Sequence, residues 1–359
     1  MFGKMKKFSR HVLAGANVAT IIIMLVVGYS GHVNPASHPL VSTISLAFPF
    51  LLLANVLFLV LWCIVKVRYV IIPMVGLLLC YQPVRTYLPI NLPQHPEGET
   101  IKVISYNVWM YAMFQGYVTS MRIPEYLAAE DADLVCLQEA DTPPAIQVGI
   151  DSIMTPIYAY KDTLKALKTG DVLVLYSKFP ILSKERITYD SRGKAAAAFR
   201  VNISGDTVTV INNHFETTGL SSEDRENFKN MVDGTMQSDE ARAESRLLFS
   251  KLSKAASKRA PQADALSDYL KAHSQERIIL CGDFNDSPLS YAHHQVAKWL
   301  TDCFVASGNG FGFSYNRGGM YVRIDNIMCS KDMTPYACEV DSRIDVSDHY
   351  PIKCRLKIK

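Results

Sequence analysis

Six places in the chain set a carboxylate, a carboxamide or an imidazole directly after a short apolar run. They are Ser-Tyr-Asn ending at Asn107, Leu-Gln-Glu ending at Glu139, Asn-Asn-His from Asn212 to His214, Gly-Asp-Phe-Asn with Asp283 and Asn285, Arg-Ile-Asp ending at Asp325, and Ser-Asp-His with Asp348 and His349. Carboxylate and carboxamide oxygens are ligands for a hard divalent cation, and imidazoles carry protons near neutral pH. Taken singly, each is more often a turn former or a structural histidine, because Asp and Asn side chains hydrogen-bond their own backbone in turns. Their recurrence at the same place in successive elements is the signal.

The apolar runs that position them read as buried strands at 101–106, 133–137, 172–176, 195–203, 207–212, 277–281 and 324–329. Helical stretches fall between, at 123–130 and in a long charged block at 221–273 that reads as a solvated helix pair over a sheet. Strands with interspersed helices and long returns predict two packed sheets covered by helices.

Taken in order, the motifs resemble the endonuclease/exonuclease/phosphatase family across residues 101–351. They are Asn107 in Tyr-Asn-Val-Trp, Glu139, the Ser-x-x-Pro-Ile turn at 177–181, Asn-x-His at 212–214, Gly-Asp-Phe-Asn at 282–285, Asp325 in Arg-Ile-Asp, and Ser-Asp-His-x-Pro at 347–351. The resemblance implies an α+β fold, a four-layered α/β/β/α sandwich of two packed mixed sheets, and a metal-dependent phosphoester hydrolase. A phosphoester repels a nucleophile, so a cation held by oxygen ligands must neutralise it. The implied ligands are Asn107, Glu139 and Asp348, holding one Mg²⁺ (or Mn²⁺).

By the same resemblance Asp283 orients or deprotonates the attacking water, with Asn285 beside it. His349 is held by Asp325 and stabilises charge on the phosphoryl group, while His214 contacts the phosphate. Asn212 and Lys194 are the implied substrate contacts. One departure is Trp109, which stands where abasic-site nucleases carry an acid and argues against a second metal.

The first hundred residues differ in composition. Segments 12–29, 41–65 and 69–81 contain no charge, and 41–65 alone is long enough for a hydrocarbon core of roughly 30 Å. They predict an anchor over 1–90 with two to three transmembrane helices (about 12–29, 41–65 and 69–83), a linker at 91–99, and a catalytic domain over 100–359. Lys4, Lys6, Lys7, Arg10, Lys66 and Arg68 flank these segments, whereas 31–39 has no Lys or Arg, so the positive-inside rule puts the N-terminus in the cytoplasm. A third crossing, over a short segment containing Pro73, would place the catalytic domain outside a bacterial inner membrane; two crossings would keep it cytoplasmic.

Eight cysteines show no zinc spacing. Cys136 and Cys281 read as strand residues, and Cys303, Cys329, Cys338 and Cys354 would be free to pair outside the cytoplasm. A net charge of +3 without a basic run does not announce a nucleic-acid binder. The expected function is therefore a phosphodiesterase or phosphatase acting near a lipid bilayer on a lipid head group, nucleotide, sugar phosphate or nucleic acid. An extracytoplasmic nuclease and a catalytically silent binding module are the alternatives, and no protein partner is inferable.

Overall fold

The computed structural model describes residues 2–168 and 170–358. Among them twelve strands build two six-stranded sheets. In chain order these are β1 (Ile101–Asn107), β2 (Leu134–Gln138), β3 (Tyr160–Lys165), β4 (Val172–Ser177), β5 (Ile181–Ile187), β6 (Ala196–Ile203), β7 (Asp206–His214), β8 (Arg277–Asp283), β9 (Thr301–Asp302), β10 (Asp325–Cys329), β11 (Met333–Val340) and β12 (Ile352–Ile358). The sheet orders are β11-β12-β1-β2-β4-β3 and β5-β6-β7-β8-β10-β9.

Each sheet carries one parallel pair, β1 with β2 and β7 with β8, among antiparallel neighbours, so both are mixed as expected. Period-two alternation sorts the side chains. Val103, Cys136, Val210, Ile279 and Ile327 point into the layer between the sheets. Ile104, Val135 and Leu137 point outward, where they meet Ile123, Leu127 and Ile150 of two helices, Tyr117–Glu130 and Pro144–Met154. On the opposite face Ile211, Ile278 and Leu280 meet Ala263, Leu266 and Val296 of the helices Ser238–Ala272 and Tyr291–Ala297. Buried on both faces, the central strands read as continuous apolar runs.

The strands absent from the sequence reading are β3, β5, β9, β11 and β12. β3 and β5 are edge strands with mostly exposed side chains, and β11 is an edge strand containing Pro335, so none carries a continuous apolar run. The charged block resolves into helices Ser222–Val232 and Ser238–Ala272. All eight cysteines are free thiols, including Cys303, Cys329, Cys338 and Cys354, which are buried together in the layer between the sheets; the disulfides weighed above are not formed.

The N-terminal helices are α1 (Phe2–Gly28), α2 (Pro39–Thr43), α3 (Phe48–Val65), α4 (Ile71–Leu79) and α5 (Tyr81–Tyr87). Two stretches, Lys7–His32 and Pro39–Val65, are long and apolar enough to cross a membrane, and α4 with α5 forms a pair bent by 68°. The three layers of this bundle are tied by buried amides. Asn17 donates to Asn55 (3.2 Å), Asn55 to the Pro73 carbonyl (3.1 Å), and Trp62 to Asn17 (3.1 Å). Gly76 lets Ile21 approach so closely that an added Cβ would sit 2.6 Å from it. Small residues and satisfied amides are how helices associate where water cannot drive them together.

One end of the bundle is docked on the catalytic domain. Ser45 meets Ser287 (3.2 Å), Asn34 donates to Tyr291 (3.2 Å), Ser257 donates to the Pro35 carbonyl (2.9 Å), and Leu289 belongs to the apolar cluster of Met24, Phe48 and Tyr87.

Gly282 exists for close approach. A Cβ there would lie 2.0 Å from the Asn213 carbonyl oxygen, on the backbone of the strand that carries His214. Gly282→Ala must push β7 and β8 apart at their ends, and overpacking of this kind costs about 1–3 kcal/mol. A urea or thermal unfolding curve should show that loss together with reduced turnover; a variant with wild-type stability and rate would refute the account.

Candidate active site

The parallel pairs deliver four strand ends to one edge of the sandwich. Asn107 closes β1, Glu139 follows β2, His214 closes β7 and Asp283 closes β8. β10 runs the other way and begins there, with Asp325 in register opposite Asp283. His214 is in register opposite Asp283 on the other side. Three side chains are thus set edge to edge by strand pairing alone.

Asp283 is almost completely buried at the centre. Its Oδ2 accepts from the Asn107 amide (3.0 Å) and the Asn285 amide (3.3 Å), and lies 3.4 Å from His214 Nε2 and 3.7 Å from His349 Nε2. Its Oδ1 accepts from the Asn285 backbone N–H at 2.7 Å. Burial, reinforced by the neighbouring Asp325 charge, raises the Asp283 carboxyl above the ordinary range against the pull of His349 and His214.

His349 Nδ1 is 2.8 Å from Asp325 Oδ2, both side chains being buried. Burial alone would lower its pKa, but Asp325 and Asp283 outweigh it and push it up to about 10, so the ring is a cation at neutral pH. Ser314 fixes Asp325 through its backbone N–H (3.0 Å), and Ser347 accepts from the His349 N–H (3.1 Å) while donating to the Asn107 carbonyl (2.7 Å).

A second imidazole and carboxylate stand across the cleft. Asp171, at the head of β4, places Oδ2 3.1 Å from His214 Nδ1, close enough for attraction although not aligned as a hydrogen bond. Its Oδ1 accepts from the Glu139 N–H at 3.2 Å. Sequence reasoning passed over Asp171; the signal is an acid immediately before a fully apolar strand.

Lys194 is mostly buried, with Nζ 2.8 Å from Glu139 Oε1. Burial would raise the Glu139 carboxyl, but Lys194 and His214 outweigh it and hold it below the ordinary range. Asp348 goes the other way: burial raises it, aided by Glu139 and Asp283 against His349 and Arg225. The crowding of Glu139, Asp283 and Asp348 is negative charge that a divalent cation would relieve, so the oxygen set Asn107, Glu139 and Asp348 fits a hard metal. Asp283, Asp325 and His349 bring ligand atoms within 4.8 Å of one another, a second group able to hold a metal ion.

Asn212 is placed differently from the expectation. It is fully buried, its amide donating to Leu137 O (2.9 Å) and Val174 O (3.0 Å) and its oxygen accepting from Gln138 (2.7 Å). Both amide hydrogens and one of the oxygen's two acceptor sites are spent stapling the two sheets.

The family model described as "Endonuclease/Exonuclease/phosphatase family" matches residues 104–349, and one described as a domain of unknown function matches 10–87. A search of curated proteins returns no match. Among solved structures, the chain is similar to a family protein of Bacteroides thetaiotaomicron (16% identity, 74% of this chain and 100% of that one, TM-score 0.51). It is also similar to one of Beutenbergia cavernae (17%, 73% and 72%, TM-score 0.53) and to the human Nocturnin catalytic domain with bound sulfate (16%, 72% and 94%, TM-score 0.51). At these identities the likeness is one of fold.

Removing the Asp325 charge by Asp325→Asn lowers the His349 pKa, so the imidazolium is lost at lower pH. The alkaline limb of the kcat/KM profile, expected near pH 10 in the wild type, moves downward; an unmoved limb would separate His349 from the reaction. Asn212→Ala should cost about 1–3 kcal/mol in unfolding experiments through orphaned buried partners, with KM unchanged; a raised KM at full stability would restore its role as a substrate contact.

Proposed function

The chain belongs to the endonuclease/exonuclease/phosphatase family, and from that premise we propose that it is a Mg²⁺-dependent phosphoester hydrolase, a phosphodiesterase or phosphatase. The observation that carries this reading is the buried Asp283 carboxylate, raised in pKa and 3.7 Å from a cationic His349. A base with a raised pKa and an acid held charged, side by side, are the two halves of a hydrolytic proton inventory.

In this reading Asp283 takes a proton from the attacking water while Asn107 and Asn285, both on its Oδ2, hold the carboxylate in place. The water oxygen forms the new P–O bond as the ester P–O bond breaks. His349 offers its Nε2 proton to the phosphoryl or leaving oxygen, with Asp325 fixing the ring, and His214 faces the phosphate from the other side. Asn107, Glu139 and Asp348 would hold Mg²⁺, which would supply charge neutralisation at phosphorus.

The bundle supports a topology of three crossings. The link between α1 and α3 and the end of α5 both touch the catalytic domain, through Asn34, Ser45 and Tyr87. These two ends lie on one side only if the bent α4–α5 segment also crosses. With Lys4, Lys6, Lys7, Arg10, Lys66 and Arg68 in the cytoplasm, the active site is extracytoplasmic.

Full-length protein should hydrolyse bis(p-nitrophenyl) phosphate or p-nitrophenyl phosphate with Mg²⁺ and not with EDTA, and Asp283→Asn should lower kcat by about 10²- to 10⁴-fold. Cleavage of neither substrate, or a near-normal Asp283→Asn rate, would reject the mechanism. For topology, a C-terminal alkaline phosphatase fusion should be active; an inactive one puts the domain in the cytoplasm.

A further inference from the structure

A row of aromatic rings leads from inside the bundle to the lip of the active site. Phe48, fully buried among the helices, lies 5.7 Å from Tyr87, which lies 5.9 Å from Phe311 of the catalytic domain. Phe311 stacks on Phe313 at 5.1 Å, and Phe313 meets Tyr321 at 5.9 Å. Phe311 is 42% exposed and Tyr321 57%, and Ile90 and Leu92, just past α5, are 80% and 86% exposed. Four large apolar side chains therefore stand open to the surroundings where the bundle meets the domain.

The loop at 311–323 that bears these rings is part of the catalytic machinery's support. Tyr315 bridges to Val322 and to His349, and its ring is edge-on to His349 at 5.3 Å. The buried Arg323 donates to the Phe311 carbonyl (2.8 Å) and to the Thr86 carbonyl of α5, two residues before Asp325. Arg317 lies 5.8 Å over Trp109, and Arg225 lies 5.7 Å over Tyr315, so guanidinium charge faces the same lip.

We propose that residues 311–321, with Ile90 and Leu92, are seated in the headgroup layer of the membrane, and that the substrate is a phosphoester borne by a lipid. The inference rests on the phosphoester-hydrolase reading and on three crossings. The row starts in the apolar bundle and ends at Tyr321, on the loop whose Tyr315 stands edge-on to His349, and aromatic side chains with one apolar and one polar end, such as Tyr321, concentrate at the membrane interface. Arg225 and Arg317 then meet headgroup phosphates at that depth. A nucleic-acid substrate would call for a continuous basic track along the lip; Arg225 and Arg317 stand there beside four exposed apolar side chains instead.

The test uses the full-length protein in nanodiscs with Mg²⁺. Phosphatidate in the disc should be turned over with a kcat/KM at least tenfold that of soluble glycerol 3-phosphate or a single-stranded oligonucleotide. Ile90→Ser with Leu92→Ser, at the two most exposed of these side chains and outside the loop, should cut the phosphatidate rate tenfold and change p-nitrophenyl phosphate turnover less than twofold. Independently of activity, a bimane placed by Tyr321→Cys in a Cys63→Ser background, the other seven cysteines being buried, should be quenched by brominated lipid. Absence of quenching, or equal rates on the soluble phosphoester, overturns the proposal, and preference for the oligonucleotide replaces it with a nuclease. Failure to cleave either bis(p-nitrophenyl) phosphate or p-nitrophenyl phosphate defeats the underlying hydrolase reading instead.

Discussion

In the proposed mechanism everything at the active edge depends on keeping one buried carboxylate, Asp283, charged enough to be a base and unsettled enough to accept a proton. Burial of an isolated anion is costly, and the site answers it with Asn107 and Asn285 as donors and with two imidazoles within 3.7 Å. The balance stops short of full compensation. Burial, with the neighbouring Asp325 charge, keeps Asp283 raised, while His349, facing Asp325, Asp283 and Asp348, is held as a cation. Opposite displacement of two neighbouring groups, arising from one charge distribution, is what makes an acid and a base from ordinary side chains.

That distribution is bought with backbone strain. Glu139 (φ 52°) and Asn285 (φ 51°) are both left-handed, as are the four consecutive residues Trp109 to Ala112 (φ 48° to 53°). Such conformations cost non-glycine residues about 1–2 kcal/mol each, and nothing local repays Glu139 or the bulky residues of the turn. The restraint comes from between the elements. The Trp109 N–H is held by the Asn107 side chain (3.1 Å), the Met110 N–H by the Glu139 carbonyl (2.8 Å), and the Val108 N–H by the Gln138 carbonyl (3.0 Å). The left-handed turn and the left-handed ligand are laced to each other, so neither relaxes without moving Asn107 and, through it, Asp283. Trp109 occupies the place of an acid in abasic-site nucleases, and its part here is to start this turn and to present a ring to Arg317.

The strand-end motifs were legible because each couples an apolar run, which periodicity detects, to a polar residue that the run's end must expose to a neighbouring strand. Asn107, Glu139, His214, Asp283, Asp325 and His349 converge for that reason. Asn212 shows where the reading stops, because a buried carboxamide and a substrate-facing one look alike in sequence, and its bonds to the cross-sheet carbonyls of Leu137 and Val174 appear only in the fold. Asp171 escaped because its partner His214 is 43 positions away along the chain, and an acid before a strand reads as a turn. The edge strands β3 and β5 bury too little on either face to leave a pattern. Least legible was the docking of the bundle, since a surface used between two units of one chain carries no period at all.

That docking gives the N-terminal helices a structural role beyond retention. They reach the catalytic edge by two routes, through Ser287 and Leu289 just after Asn285, and through Arg323 just before Asp325. The base-side and acid-side loops are therefore both braced against the same rigid body, whose own halves are locked by Asn17, Asn55 and Trp62. Gly31 shows how tight the first route is: a Cβ there would stand 2.6 Å from the Leu289 carbonyl oxygen. A flexible tether has no reason for backbone to meet backbone at such range. The spacing between Asp283 and Asp325 is set by β8 and β10 from within the sheet and braced by the bundle from outside it, which makes the N-terminal helices a component of the site's geometry.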